Sequence, residues 1–211
     1  MGSARPTRLR AAAFVLLLAV AGCGKGPQPL SPSARVFLEG PARWLMLPEE
    51  EREARKLDSG RDAIIFIEEF WRRRDPTPDD PENPYRASFF ERSVAADRLY
   101  GEGNRRGSMT DRGHVLVLFG SPSGIRLNQQ AVPALEPDRE RRLTTATTRW
   151  IITETWLYQP EDLPPELYQQ LPSDEQGQPV TFEFTTEGAH TRIASGERYF
   201  DLAVVAAVRE E

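Results

Sequence analysis

The chain has 211 residues with 27 basic and 32 acidic side chains, a formal net charge of −5, 39% hydrophobic residues, 18 prolines and one cysteine. An acidic balance argues against a nucleic-acid-binding surface, and a lone cysteine excludes an internal disulfide, a CxxC redox pair and a thiolate metal site. The length suits one domain built on a single core.

The N-terminus carries Arg5, Arg8 and Arg10 without any acid, then an unbroken apolar run over 11–21. These are the n-region and h-region of a secretory signal. The run is about half the ~20 residues that a membrane-spanning helix needs. It ends in small residues, Val20, Ala21 and Gly22, directly before Cys23. The segment Leu18-Ala19-Val20-Ala21-Gly22-Cys23 looks like a bacterial lipobox, which predicts cleavage between Gly22 and Cys23 and a diacylglyceryl group on the thiol, with a further acyl chain such as palmitate on the freed amine. Several chains together give a stable anchor. Removing 1–22 takes three arginines and no acid, so the net charge falls from −5 to −8. The lipid, and no basic face, then holds the chain at the membrane. Residues 23–34 read as a flexible Gly-, Pro- and Ser-rich tether that reaches about 30 Å at ~3.1 Å per residue. Gly24 lacks the aspartate associated with inner-membrane retention, so the expected location is extracytoplasmic and periplasm-facing, with preference for the outer membrane.

Residues 35–211 are expected to form one domain. The segment 34–47, with Val36, Phe37, Leu38, Trp44, Leu45 and Leu47, reads as a short helix or arm on the body. Pro48 opens a mostly solvated helix to Leu57, acids first and bases last. Ala63, Ile64, Phe66, Ile67, Phe70 and Trp71 recur at helical spacing behind a Ser59/Asp62 cap, and Arg72-Arg73-Arg74 close that helix. The proline-dense stretch 75–84 is a stiff loop; Asn83 caps and Pro84 opens the next helix, which runs to about Tyr100. The two helices are read as an N-terminal helical hairpin.

Residues 107–113 read as a tight turn, and His114-Val115-Leu116-Val117-Leu118-Phe119 as a strand buried on both faces. The stretch 125–149 lacks periodicity and reads as a flexible insertion, assigned to 124–149. Residues 150–158 form a strand expected beside 114–119. Pro160, Pro164, Pro165 and the 172–179 segment interrupt, Val180-Thr181-Phe182-Glu183-Phe184 alternates as a half-buried strand, Gly188 and Gly196 bound a hairpin, and 199–208 close the chain as a strand or helix. The expected fold is α+β, a helical hairpin packed on a small, mainly antiparallel sheet.

Phe70-Trp71-Arg72-Arg73-Arg74-Asp75-Pro76-Thr77-Pro78, the Asn83-Pro84 helix start, Thr110-Asp111-Arg112-Gly113, the apolar run ending in Gly120-Ser121-Pro122, and Thr155-Trp156-Leu157-Tyr158 resemble, in that order, the GWxTD domain family over residues 45–160. In one departure, Ser108 stands after Gly107 where the family's motif has Trp. The resemblance implies an exported protein or lipoprotein and brings no settled activity with it.

The candidate motif residues are Trp71, Arg74, Asp75, Pro76, Gly107, Thr110, Asp111, Arg112 and Gly113, in a structural or partner-binding role. Asp111 can accept from backbone N–H groups in its turn, and Arg74 or Arg112 can fork onto Asp75 or Asp111. A functional alternative has Arg74, Asp75, Asp111 and Arg112 converge on a polar site. His114 and His190 are the only histidines, and HExxH is absent, which argues against zinc. Asp75, Thr77, Asp79, Asp80, Glu82 and Asn83 offer oxygens to calcium, but in no EF-hand pattern. Ser121, Ser123 and Thr110 sit where turns favour them, Pro122 occupies the nucleophile position of a would-be GxSxG, and no Walker spacing occurs. No catalytic residue, metal ligand or cofactor is assigned. The expected function is a noncatalytic binding or assembly module of the cell envelope, with an envelope protein partner and no nucleic acid; the alternative is an extracytoplasmic hydrolase or small-ligand-binding domain using the Arg74/Asp75/Asp111/Arg112 cluster.

Overall fold

The computed structural model describes residues 29–138 and 143–209, with the side chains of 134–138 and 143–147 left out. The signal segment, the cleavage site and Cys23 lie outside the described residues. Seven α-helices and one four-stranded antiparallel sheet are described, a mixed α+β fold.

Helix α1 (Pro32–Glu39) starts where Ser31 Oγ accepts from the Ala34 amide at 3.1 Å, so the last residues assigned to the tether are already helical. A 3-10 turn, Pro41–Leu45, leads to α2 (Pro48–Ala54). Helix α3 (Gly60–Arg72) is capped by Ser59, whose hydroxyl accepts from the Asp62 amide, and buries Ala63, Phe70 and Trp71. Helix α4 (Pro84–Leu99) begins on the Asn83 cap, as its sequence predicts. The same Asn83 donates from Nδ2 to the Trp71 carbonyl at 2.8 Å, which pins both ends of the proline-rich loop. The close helical partner of α3 is α1 and that of α4 is α5, so an α3–α4 hairpin is not the unit that meets the sheet.

The run 114–119 is a helix, α5 (Asp111–Phe119), and this overturns the expected buried strand. Thr110 caps it by accepting from the Gly113 amide at 3.2 Å, and Gly120, at φ 79°, ends it. Gly113 and every residue from Val115 to Phe119 are buried. A helix apolar all round has no 3.6-residue pattern to read, and its branched side chains then imitate a buried strand. Close approach explains two glycines: a Cβ on Gly107 would fall on the Ala96 carbonyl of α4, and one on Gly113 would fall on the Gly107 carbonyl.

The expected flexible insertion is also overturned. Strands β1 (Gly124–Asp138) and β2 (Leu143–Tyr158) pair antiparallel from Gly124↔Leu157 to Asp138↔Leu143. Strand β3 (Val180–Glu187) pairs with β2 only over Ile151–Tyr158, and β4 (His190–Ser195) follows β3 across Gly188, giving the order β1-β2-β3-β4. Strand β2 therefore lies between β1 and β3 rather than beside 114–119. The eight pairs from Ala131↔Trp150 outward have no third strand, and at ~3.3 Å per residue they form a two-stranded ribbon of about 25 Å.

Short α6 (Pro165–Gln170) interrupts the proline-rich connection after β2, and the closing segment resolves as a helix, α7 (Arg198–Ala207). The core lies between α5, α7 and one face of the sheet. Phe119 meets Phe182 at 4.7 Å, Trp156 meets Phe184 at 5.1 Å, and Phe182 stacks on Phe200 at 5.8 Å. After α7, the Arg209 amide donates to the Arg73 carbonyl at 2.9 Å and ties the end of the fold to the end of α3.

Candidate functional site

The signature residues fall into two internal networks. Arg74 is fully buried and forks onto the buried Glu50 of α2, with Nη1 to Oε1 at 2.9 Å and Nη2 to Oε2 at 2.6 Å. Its remaining contacts are the carbonyls of Leu45 and Phe70 and the Phe70 ring, 3.8 Å beneath the guanidinium. Glu50 also accepts from Arg73 and from the Leu47 amide, so one carboxylate joins α2, the chain before it and the end of α3. Asp75 turns the other way: its Oδ1 accepts from the Thr77 amide at 3.0 Å and shapes the loop. Pro76 borders a small cleft beside Arg74. Trp71 is buried, its ring against Phe37, Phe70, Phe89 and Phe90.

The second network surrounds the N-terminus of α5. The Gly107 carbonyl accepts from Thr110 Oγ1 at 2.7 Å, and Asp97 Oδ1 accepts from the Ser108 amide at 2.8 Å. Arg106 also binds Asp97 and, with the Ser108 contacts, outweighs the burial that opposes ionisation, so this carboxyl titrates below its ordinary range. Ser108 is fully buried, and an indole does meet this turn: Trp44 Nε1 donates to the Ser108 carbonyl at 3.0 Å. Asp111 Oδ2 accepts from the Ile193 amide at 2.8 Å and thereby docks α5 on β4, while Arg105 approaches its other oxygen at 3.7 Å. Arg112 reaches Glu154 at 3.3 Å and Glu102 at 3.7 Å and lies over the Tyr100 ring. Glu154 in turn accepts from the Trp156 indole at 2.6 Å.

Among the described residues no hydrogen bond or ion pair joins Arg74 or Asp75 to Asp111 or Arg112, so the four do not converge on one site. Neither Arg74 nor Arg112 forks onto Asp75 or Asp111; Arg74 forks onto Glu50, and Arg112 makes a single contact with Glu154. Glu50 belongs to the helix read as solvated, and its role was hidden because its arginine lies 24 residues away.

The other chemical candidates are engaged locally. Thr110 is a helix cap, and Ser123 donates to Asp162 at 2.6 Å while accepting from the Gln159 amide. His114 lies between the rings of Trp44 and Phe200, with centroids 4.1 and 3.9 Å away, and burial pushes its imidazole down to about 3. Among the described residues no group of three or more His, Cys, Asp or Glu side chains is placed to hold a metal ion. The cleft beside Arg74, about 270 Å³, is bordered by Tyr85, Arg92, Glu166 and Arg209. Burial raises the Tyr85 phenol to about 12, while Arg92 donates to the Leu118 carbonyl and Arg209 to Glu166, so its cations are already occupied.

Part of the uncovered surface is apolar. The register places Ile125, Leu127, Trp150 and Ile152 on the sheet face that carries Trp156 and Phe182, because alternate residues share a face. Trp156 and Phe182 are fully buried, but Ile125, Leu127 and Trp150 are 51%, 68% and 53% exposed. The core face continues uncovered along β1 and β2 as far as Trp150, in the first pair of the ribbon. Sequence reading missed this stripe, since its four members lie on two strands and Leu127 and Trp150 were never neighbours in the pattern. A second apolar surface is a groove of about 670 Å³ between α1, α3 and α4. No described helix is long and apolar enough to cross a membrane.

Comparison of the chain with family models, with curated proteins and with solved structures gave no match, so the resemblance to the GWxTD family rests on the motif residues alone.

Proposed function

We propose that this chain is a bacterial lipoprotein, anchored through an acylated Cys23, whose exported domain is a noncatalytic binding or assembly module of the cell envelope. The observation that carries this reading is the ribbon. At the foot of the ribbon, Ile125, Leu127 and Ile152 on the sheet and Trp150 in the ribbon's first pair extend the face that carries Trp156 and Phe182, and all four are exposed. An unsupported two-stranded ribbon is marginal in water, and an exposed apolar strip with a free β edge favours a protein partner laid against it. The charged signature supports the same reading from the other side. Its arginines and carboxylates brace α2, α3, α5, β2 and β4, so they serve the scaffold that presents the ribbon.

The test is photo-crosslinking in native membranes with a reactive residue at Leu127, compared with the same label at Glu91 on α4. The expected result is a discrete adduct with an envelope protein from Leu127 alone, lost when Trp150→Ser and Ile152→Ser are added while the thermal melt stays unchanged. Equal labelling from both positions, or an adduct indifferent to the two serines, would overturn the assignment.

A further inference from the structure

The groove between α1, α3 and α4 lies where the domain leaves its tether. Ser31 and Ser33, at the start of α1, border it together with Val36; Ile64 and Ile67 form its α3 wall, and Phe90 and Val94 its α4 wall. Val36, Ile64, Phe90 and Val94 are each close to half exposed or more. On α3 the groove takes Ile64, Ile67, Glu68 and Trp71, a helical i, i+3, i+4, i+7 face, and on α4 the i, i+4 pair Phe90 and Val94, so these side chains project together into one opening. Arg86 also borders the groove, its guanidinium 5.9 Å from the rings of both Trp71 and Phe90.

Eight residue steps lead from Cys23 to Ser31. Extended at ~3.1 Å each, they put about 25 Å between the acylated cysteine and the edge of the groove. A lipid at Cys23 therefore confines this face, before any other part of the domain, to the region just outside the bilayer. Confinement turns a second contact into an intramolecular event at an effective concentration near millimolar, so a few aliphatic side chains suffice where they would fail for an untethered, acidic domain.

We infer that the α1–α3–α4 groove is the face this domain turns to its own membrane, with Val36, Ile64, Phe90 and Val94 seated among the acyl chains nearest the surface. The inference rests on the anchored reading of Cys23. It fixes an orientation: the ribbon, built on the sheet, is left free for a protein partner while the helical groove holds the lipid.

Once Cys23 is acylated, an introduced cysteine is the sole free thiol of the chain. The experiment uses the full acylated protein in vesicles of phosphatidylethanolamine and phosphatidylglycerol, labelled with an environment-sensitive fluorophore at Val94→Cys or, as a control, at Thr181→Cys on β3. The expected result is a blue-shifted Val94 signal quenched by lipids brominated along their acyl chains, a water-like signal at Thr181, and loss of the Val94 shift when Ile64→Glu is added. Acylated protein with both labels in water overturns the inference and leaves the anchor standing. Concentration-dependent self-quenching at Val94, without quenching by brominated lipid, overturns it in favour of a second copy of the chain. An N-terminal peptide whose mass shows no acyl group overturns the anchor and this inference with it.

Discussion

Glu50→Gln keeps the shape of the buried side chain and removes its charge. Arg74 is then left in the core with no carboxylate, since both its terminal nitrogens pair with Glu50 at 2.6 and 2.9 Å and the pair is 0% and 3% exposed. Breaking a buried ion pair on one side costs about 3–5 kcal/mol, because the desolvated charge that remains has no counterpart. The loss should sit at the upper end, as Glu50 also accepts from Arg73 and from the Leu47 amide. With a urea slope of about 2 kcal/mol per molar, the unfolding midpoint falls by about 1.5–2.5 M. The control is Glu51→Gln, one residue away on the surface, whose partner Arg55 is 74% exposed; that change shifts the midpoint by less than about 0.3 M. Equilibrium unfolding followed by far-UV circular dichroism reads both. The double variant Glu50→Leu/Arg74→Met should recover part of the loss, because two apolar side chains leave no orphaned charge. A Glu50→Gln midpoint within about 0.3 M of the parent would refute the claim that Arg74 depends on this carboxylate.

Three further outcomes follow from the packing. His114 titrates near 3 in the fold against an ordinary value of 6.5, so protonation favours the unfolded chain; stability is complete above about 6.5 and declines as the pH falls toward 3, by up to about 4 kcal/mol, and His114→Phe, which keeps a ring between Trp44 and Phe200, flattens that limb in pH-dependent melts. Gly107→Ala and Gly113→Ala each force a methyl onto a backbone carbonyl at the α4–α5 contact and lower stability by about 3 kcal/mol, whereas a melt unchanged by either would disprove that approach. Asn83→Ala removes the α4 cap and the tie to the Trp71 carbonyl, costing about 1–2 kcal/mol and speeding limited proteolysis between Asp75 and Glu82.

The surface helices were readable because each buries one side only. Ser59, Asp62 and the spacing from Ala63 to Trp71 announce α3, and Asn83-Pro84 announces α4, since caps and amphipathic periods are local. Helix α5 failed for the opposite reason: buried throughout its apolar run, it shows no period, and the decisive signals were Thr110 as cap and Gly120 as terminator, with nine helical residues between them. The ribbon was unreadable because it has no core to alternate against; its order comes from pairing between β1 and β2, which composition does not record. The motif residues fall into two separate networks, and the partners expected for their charges were not the ones the fold supplies. Glu50, Glu154 and the Ile193 amide lie 24, 42 and 82 residues from the groups they bind, and only the fold brings them there.

The contact between Arg209 and Arg73 has a bearing on when this core can exist at all. Helix α7 supplies Tyr199, Ala203 and Ala207 to the interior, and the Arg209 amide then closes on the end of α3. A chain made from its N-terminus has α3 and α5 long before it has α7. Until α7 arrives, the ring of Phe200 is missing from His114 and Phe182, and the apolar surface of α5 has one of its walls absent. Contacts of high sequence separation therefore complete this core. The interior is enclosed on all sides only once α7 is in place.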